Sequence, residues 1–194
     1  TPKSEIRFIP ENYGQDSDDK NGMFWSKVLA DNKTVYAKYN VCWGKELEKK
    51  FGNKKKAKNI PSFEKFKTEL IKELNQPEIE RLIFDLRNNP GGSSPQGTEL
   101  VKEIAKIEKI NKKGNLYVLI GRRTYSSAVI NAMDFKNTTN AFFVGEPTSG
   151  KPNHFGEVRS FLLPNSGIKV YYSTKYFKYS DTDENSIYPD QVIE

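Results

Sequence analysis

Apolar residues recur along this chain at two different spacings, and the changes from one to the other mark out its elements. TVYAKYNVCW, Thr34 to Trp43, alternates and is rich in β-branched and aromatic residues, which predicts a strand. In IPSFEKFKTELIKELN, residues Phe63, Phe66, Leu70, Ile71 and Leu74 share a helical face, with Pro61 and Ser62 at its start. RLIFDL, Arg81 to Leu86, reads as a buried strand running into the turn-rich NNPGGSSPQG. Leu100, Val101, Ile104, Ala105 and Ile107 predict a second amphipathic helix. LYVLIG then predicts a strand, SSAVINAMDF a helix and AFFVG another strand. VRSFLLPNSGIKVYYS predicts a hairpin turning at Pro164 to Gly167, before an irregular tail ending YPDQVIE. Residues 1–22 hold one short strand candidate and a polar, acidic loop.

Strands and helices thus alternate through the middle of the chain, which predicts parallel βα units and an α/β fold. A length of 194 residues suits one domain with a sizeable core. Composition changes little: 36% apolar and 29% charged residues describe a soluble globular chain. No apolar run approaches bilayer-spanning length, and none reads as a secretory h-region. The chain begins at Thr1, as a processed form or a fragment does. We take 1–33 as an N-terminal extension, the remnant of an upstream region, and 34–194 as the main domain.

The formal charge of +6 is densest in KELEKKFGNKKKAK, Lys45 to Lys58. Acids are mixed among these lysines and the aromatics of a stacking platform are missing, so the segment reads as a solvated loop, not a nucleic-acid surface. The lone Cys42 excludes an internal disulfide and reads as a small core residue. With one His in the chain, no zinc spacing exists, and no metal or organic cofactor is expected.

GEPTSGK, Gly145 to Lys151, fits the spacing of a phosphate-binding loop, but Pro152 stands where a metal-binding hydroxyl belongs. The residues that follow read as loop and strand, whereas phosphate needs a helix N-terminus there. Nucleotide chemistry is therefore set aside.

Three other pieces carry chemistry. DLRNNPGG, Asp85 to Gly92, is either a tight strand-to-helix turn or one that offers backbone N–H groups to an oxyanion. In TYSSAVINA a serine at a helix start is either an ordinary cap or a nucleophile beside the positive end of the dipole. GEPTSGKPNH brings Lys151 out of a strand end into a glycine-flanked turn.

Taken together, these pieces resemble the carboxyl-terminal processing (tail-specific) serine peptidase family, related to the tricorn core and to interphotoreceptor retinoid-binding protein. The resemblance runs from about Tyr36 to Asp190: YAKYNVCW is similar to the first core strand, LIFDLRNNPGG to the family signature, GRRTYSSA and VGEPTSGK to its two catalytic segments, and YPD to its closing motif. It implies a crotonase-like (ClpP/crotonase) core of βα units with a C-terminal β-hairpin, and a serine–lysine dyad that cleaves extended protein or peptide substrates. It further implies Ser126 as nucleophile, with Ser127 the runner-up, and Lys151 as general base. The oxyanion would rest on Gly91, Gly92 and the N–H of Ser127. A free lysine, with pKa about 10.4, is protonated at neutral pH, so the dyad needs a setting that favours the neutral amine.

The sequence departs from the family in two places. Phe155 stands where the family often carries a lysine-orienting glutamine, leaving His154, Asn153 or Glu157 for that role, or His154 as an alternative base. Val129 replaces an acidic residue. No segment resembles the peptide-tail-binding module of many relatives. Such relatives work outside the cytoplasm, so a secreted or cell-envelope location is implied. The rival readings are a non-catalytic ligand- or peptide-binding module on the same fold and an acyl-thioester enzyme using the same glycines.

Overall fold

The computed structural model describes residues 22–193. A six-stranded sheet forms the centre, in the order β1-β2-β3-β4-β5-β8. β1 (Phe24–Val28) runs antiparallel to β2 (Thr34–Tyr39), and β2 pairs in parallel with β3 (Arg81–Asp85). β4 (Leu116–Ile120), β5 (Phe142–Gly145) and β8 (Gln191–Val192) continue the parallel run. The α/β expectation therefore holds. The main sheet reaches upstream of residue 34 through β1, while the strand candidate near the N-terminus lies outside the described residues.

Helix α2 (Phe63–Leu74) follows its sequence pattern: Phe63, Phe66, Leu70 and Leu74 are buried, and the Ser62 side chain accepts the Lys65 N–H at 3.1 Å. Burying each such side chain is worth about 1.5–3 kcal/mol, and the cap about 1. Helix α3 (Ser94–Ala105) begins with Pro95 in its first turn and packs on α4 (Ser127–Thr138). Phe84 and Phe135 meet at 5.1 Å between ring centres, fastening β3 to α4.

Two expectations need correction. The lysine-rich segment is largely helical: α1 spans Lys45–Phe51 and a 3-10 turn spans Lys56–Asn59. Acids anchor it. Glu46 accepts from Ser62 Oγ (2.5 Å) and Phe63 N (3.0 Å), and Glu48 from Asn53 N and Trp43 Nε1, both at 2.9 Å. The Asn53 N–H first, then Trp43, holds the Glu48 carboxyl below its ordinary range. The tail is also ordered, because Asp190 pairs with β5 through both its backbone and its side chain. Its N–H donates to Phe143 O (2.9 Å), and its carboxylate accepts from Phe143 N (2.8 Å).

The expected hairpin is longer than its sequence pattern suggested. β6 (His154–Leu162) and β7 (Lys169–Phe177) form a separate two-stranded antiparallel sheet in which most residues are exposed.

Candidate active site

Parallel strands place their carboxyl ends on one edge of the sheet, and ligands of such sheets bind there. β3, β4 and β5 are adjacent, so LRNNPGG, GRRTYSS and GEPTSGK emerge side by side. That topology unites segments far apart in sequence.

Ser126 occupies the N-cap position of α4 but does not cap: its side chain bonds no backbone N–H of the helix, and its φ of 52° and ψ of −122° are not those of a cap. A non-glycine residue there carries strain of about 1–3 kcal/mol. Half-buried, it holds α4 through its backbone carbonyl, which accepts from Val129 N (2.9 Å) and Ile130 N (3.2 Å). The Ser127 hydroxyl is committed differently, donating to Gly92 O at 2.9 Å. Of the two serines, Ser126 is the one whose hydroxyl has no partner among the described residues.

The loop after β3 is held from beneath by Asn89, which is fully buried. Its Nδ2 donates to Tyr39 O (2.8 Å), and its Oδ1 accepts the Gly91 N–H (2.9 Å). Its backbone carbonyl accepts from Tyr125 N at 3.0 Å, tying this loop to the serine loop. Thr124 adds a second tie, donating through Oγ1 to Leu86 O (2.9 Å) while accepting from Gly121 N (3.0 Å).

Gly91 (φ 106°) lies so close to the serine loop that a Cβ there would meet Ser126 Cβ at 2.8 Å and Ser127 N at 2.9 Å. Gly92 (φ 134°) is equally constrained by the Cys42 carbonyl. The Gly91 N–H is consumed by Asn89, so of the three donors expected, Gly92 N–H and Ser127 N–H remain without an internal acceptor among the described residues.

The lysine turn approaches from the other side. A Cβ on Gly150 would lie 2.8 Å from Val129 Cγ2, 3.2 Å from the Tyr125 ring and 3.4 Å from Ser126 N. Lys151 therefore begins one residue from the serine backbone, and its side chain is exposed. Thr148 braces the turn, donating to Gly150 O (2.8 Å) and exchanging hydrogen bonds with Ile187. Val129 packs under it, fully buried.

The alternatives named for Lys151 have other duties. Asn153 bonds Tyr179, Ser180 and Thr182 through its amide. His154 sits at the hairpin base, with Nδ1 2.9 Å from Lys151 O and its ring 5.7 Å from Phe177. Glu157 is exposed on β6 with φ 55°.

Sequence reasoning gave no role to Asn89, Thr124 or Thr148. Nor did it join Tyr36, Asp85 and Arg87, where a nearly fully buried Asp85 accepts from Tyr36 Oη and from Arg87 Nε (3.0 Å) and Nη2 (2.8 Å). Burial first, and then the Asp85 carboxylate, pushes the Tyr36 hydroxyl well above its usual range. A polar residue before a Pro-Gly-Gly turn is the one signal that could have exposed Asn89.

A cavity of about 500 Å³ lies elsewhere, bounded by Met133, Lys136 and Tyr179 toward the far end of α4.

Sequence and fold both resemble those of known proteins. The sequence profile of Peptidase family S41 matches residues 59–193. A carboxyl-terminal-processing protease of Picosynechococcus sp. is 31% identical, covering 66% of this chain and 36% of that protein. The chloroplastic carboxyl-terminal-processing peptidase 2 of Arabidopsis thaliana is 29% identical, covering 64% and 28% respectively. The solved photosystem II D1 C-terminal processing protease superposes with a TM-score of 0.56 at 18% identity, over 89% of this chain and 48% of that one. The chain thus spans about a third of the length of the curated relatives it matches. Family profile and fold agree, and the chain belongs to peptidase family S41.

Proposed function

We propose that this chain is the catalytic portion of a serine-type peptidase that cleaves extended protein or peptide substrates, with Ser126 as nucleophile and Lys151 as general base. One observation carries the reading: a strained serine that caps nothing lies between a glycine turn with free N–H donors and the turn bearing Lys151.

Chemically, a peptide laid over Ser126 excludes water from the Lys151 amine, which favours its neutral form. Ser126 Oγ attacks the scissile carbonyl carbon as Lys151 Nζ takes the hydroxyl proton. Gly92 and Ser127 N–H groups receive the oxyanion, while Gly91 serves by its close approach. Collapse of the intermediate breaks the C–N bond, and Nζ returns the proton to the leaving amine. Water then attacks the acyl ester, giving a proton to Nζ. That proton passes to Oγ as the new carboxyl end leaves. The domain so defined takes in β1, upstream of residue 34, and we propose that it works outside the cytoplasm, which fractionation tests.

The exposed Lys151 side chain supports one rival, a binding module without turnover. Incubating a denatured protein with wild type, Ser126→Ala and Lys151→Ala separates the two. We expect cleavage by wild type and a loss of about 10³-fold or more in each variant. Cleavage that survives both substitutions overturns the dyad. Binding without cleavage by any form favours the module.

A further inference from the structure

Within the three loops at the sheet edge, residues 86–92, 121–127 and 145–151, Tyr125 is the large apolar side chain left in solvent. It is 54% exposed, whereas Leu86, Thr124 and Ala128 are fully buried and Ser127 nearly so. The ring is not carried on a loose backbone. Tyr125 N donates to Asn89 O (3.0 Å), Tyr125 O accepts from Ala128 N (3.0 Å), and a Cβ on Gly91 would meet that carbonyl at 2.9 Å. A single exposed apolar residue is ordinary on a protein surface. What sets this one apart is its place.

The ring lies on the lysine turn. A Cβ on Gly150 would come within 3.2 Å of Tyr125 Cδ2 and 3.4 Å of Ser126 N, so glycine is what lets the ring rest there. Tyr125 thus reaches from the nucleophile's own loop to the residue before Lys151. A carbonyl attacked by Ser126 Oγ comes within about 3–3.5 Å of it. Neighbouring Cα atoms are about 3.8 Å apart, and residues of an extended substrate about 3.3 Å. A side chain flanking the scissile bond therefore falls within reach of this ring. Charge narrows the choice of side chain. Arg122 is paired with Glu146 at 2.8 Å, but Arg123, also exposed, has no carboxylate partner among the described residues, and Lys151 follows Gly150. Two cations on these loops disfavour a basic residue.

We propose that Tyr125 is a specificity-determining residue, whose ring receives a bulky apolar side chain next to the scissile bond. The inference rests on the peptidase reading and names the substrate class of that same site: chains with Leu or Phe beside the bond to be cut, in preference to Ala or Lys. The contact is apolar area against an aromatic face, and the ring's hydroxyl takes no part in it.

The test uses fluorescent peptides of about eight residues, alternating Ala and Ser except for one central residue X, which is Leu, Phe, Ala, Glu or Lys. The full chain cleaves them, and product masses read which bond breaks. Wild type should cut at a bond adjoining X, with kcat/KM for Leu or Phe at least tenfold above Ala or Lys. Tyr125→Ala should bring that ratio close to one, and Tyr125→Phe should keep it at its wild-type size. A uniform loss in Tyr125→Ala with the ratio intact overturns the proposal, because the ring then only supports its loop. An unaltered variant, cuts remote from X, or a preference for Glu overturns it as well. Binding is read separately by anisotropy in the full chain carrying Ser126→Ala, where Kd should follow the same ranking and added Tyr125→Ala should erase it. Should wild type cleave nothing, these titrations decide: a ranking that Tyr125→Ala erases keeps the ring's role and fails the enzymatic reading alone, and a flat ranking overturns both.

Discussion

Asn89 and Phe155 lie at opposite extremes of this molecule. The first is a polar side chain with no exposed surface and each side-chain polar group engaged; the second is an apolar ring left 70% in solvent. Their surroundings follow suit. Around Asn89 the glycine and serine loops are pinned by buried hydrogen bonds and by contacts too close for a Cβ, which fixes atoms where a reaction needs them. Around Phe155, among the described residues, two strands pair with each other and most of their side chains face solvent. The contrast teaches that the sheet edge supplies geometry and the hairpin supplies surface.

The sharpest way to break that comparison is one substitution made in both regions. Phe135→Ala, in the core against Phe84, should cost about 4 kcal/mol, whereas Phe161→Ala on the hairpin should stay within about 0.5 kcal/mol, both read by denaturant titration. A loss of comparable size at Phe161 would show that the hairpin is packed against something. Next in size, Asn89→Ala leaves Gly91 N–H and Tyr39 O unpaired and should cost about 3 kcal/mol. Ser126→Gly works in the opposite direction. It relieves the strained φ and should raise stability by about 1 kcal/mol while abolishing cleavage, which a structural cap would not do.

The smallest effect concerns pH. Burial pushes the Cys42 thiol up to about 12 from an ordinary 9.0. Because the folded value is the higher one, its contribution is complete below pH 9 and fades as pH rises toward 12. Comparing Tm profiles of wild type and Cys42→Ala across that range should show wild type falling more steeply. Parallel profiles would place the thiol in a less buried setting.

Much of the architecture was legible because burial leaves a periodic trace. Leu82, Phe84, Leu116 and Val118 announce strands, and Phe63 to Leu74 a helix, through spacing alone. α1 was missed because only Glu48 of its seven residues is buried, so no apolar stripe records it. β8, two residues long, is too short for any period, and hydrogen bonds through Asp190 place it beside β5. At the site, motifs pointed to three loops that the sheet sets side by side, but Asn89, Thr124 and Thr148 act through pairing across the fold. The loss of Gly91 as a donor could not be foreseen, since it depends on where one amide points.

Thr148 carries a temporal consequence. The turn bearing Lys151 is clasped by Ile187, thirty-six residues further along the chain. A ribosome has therefore released both the hydroxyl and the amine before the segment that fastens them together exists. A chain made only as far as Lys151 holds the two loops without this brace, which arrives with Ile187.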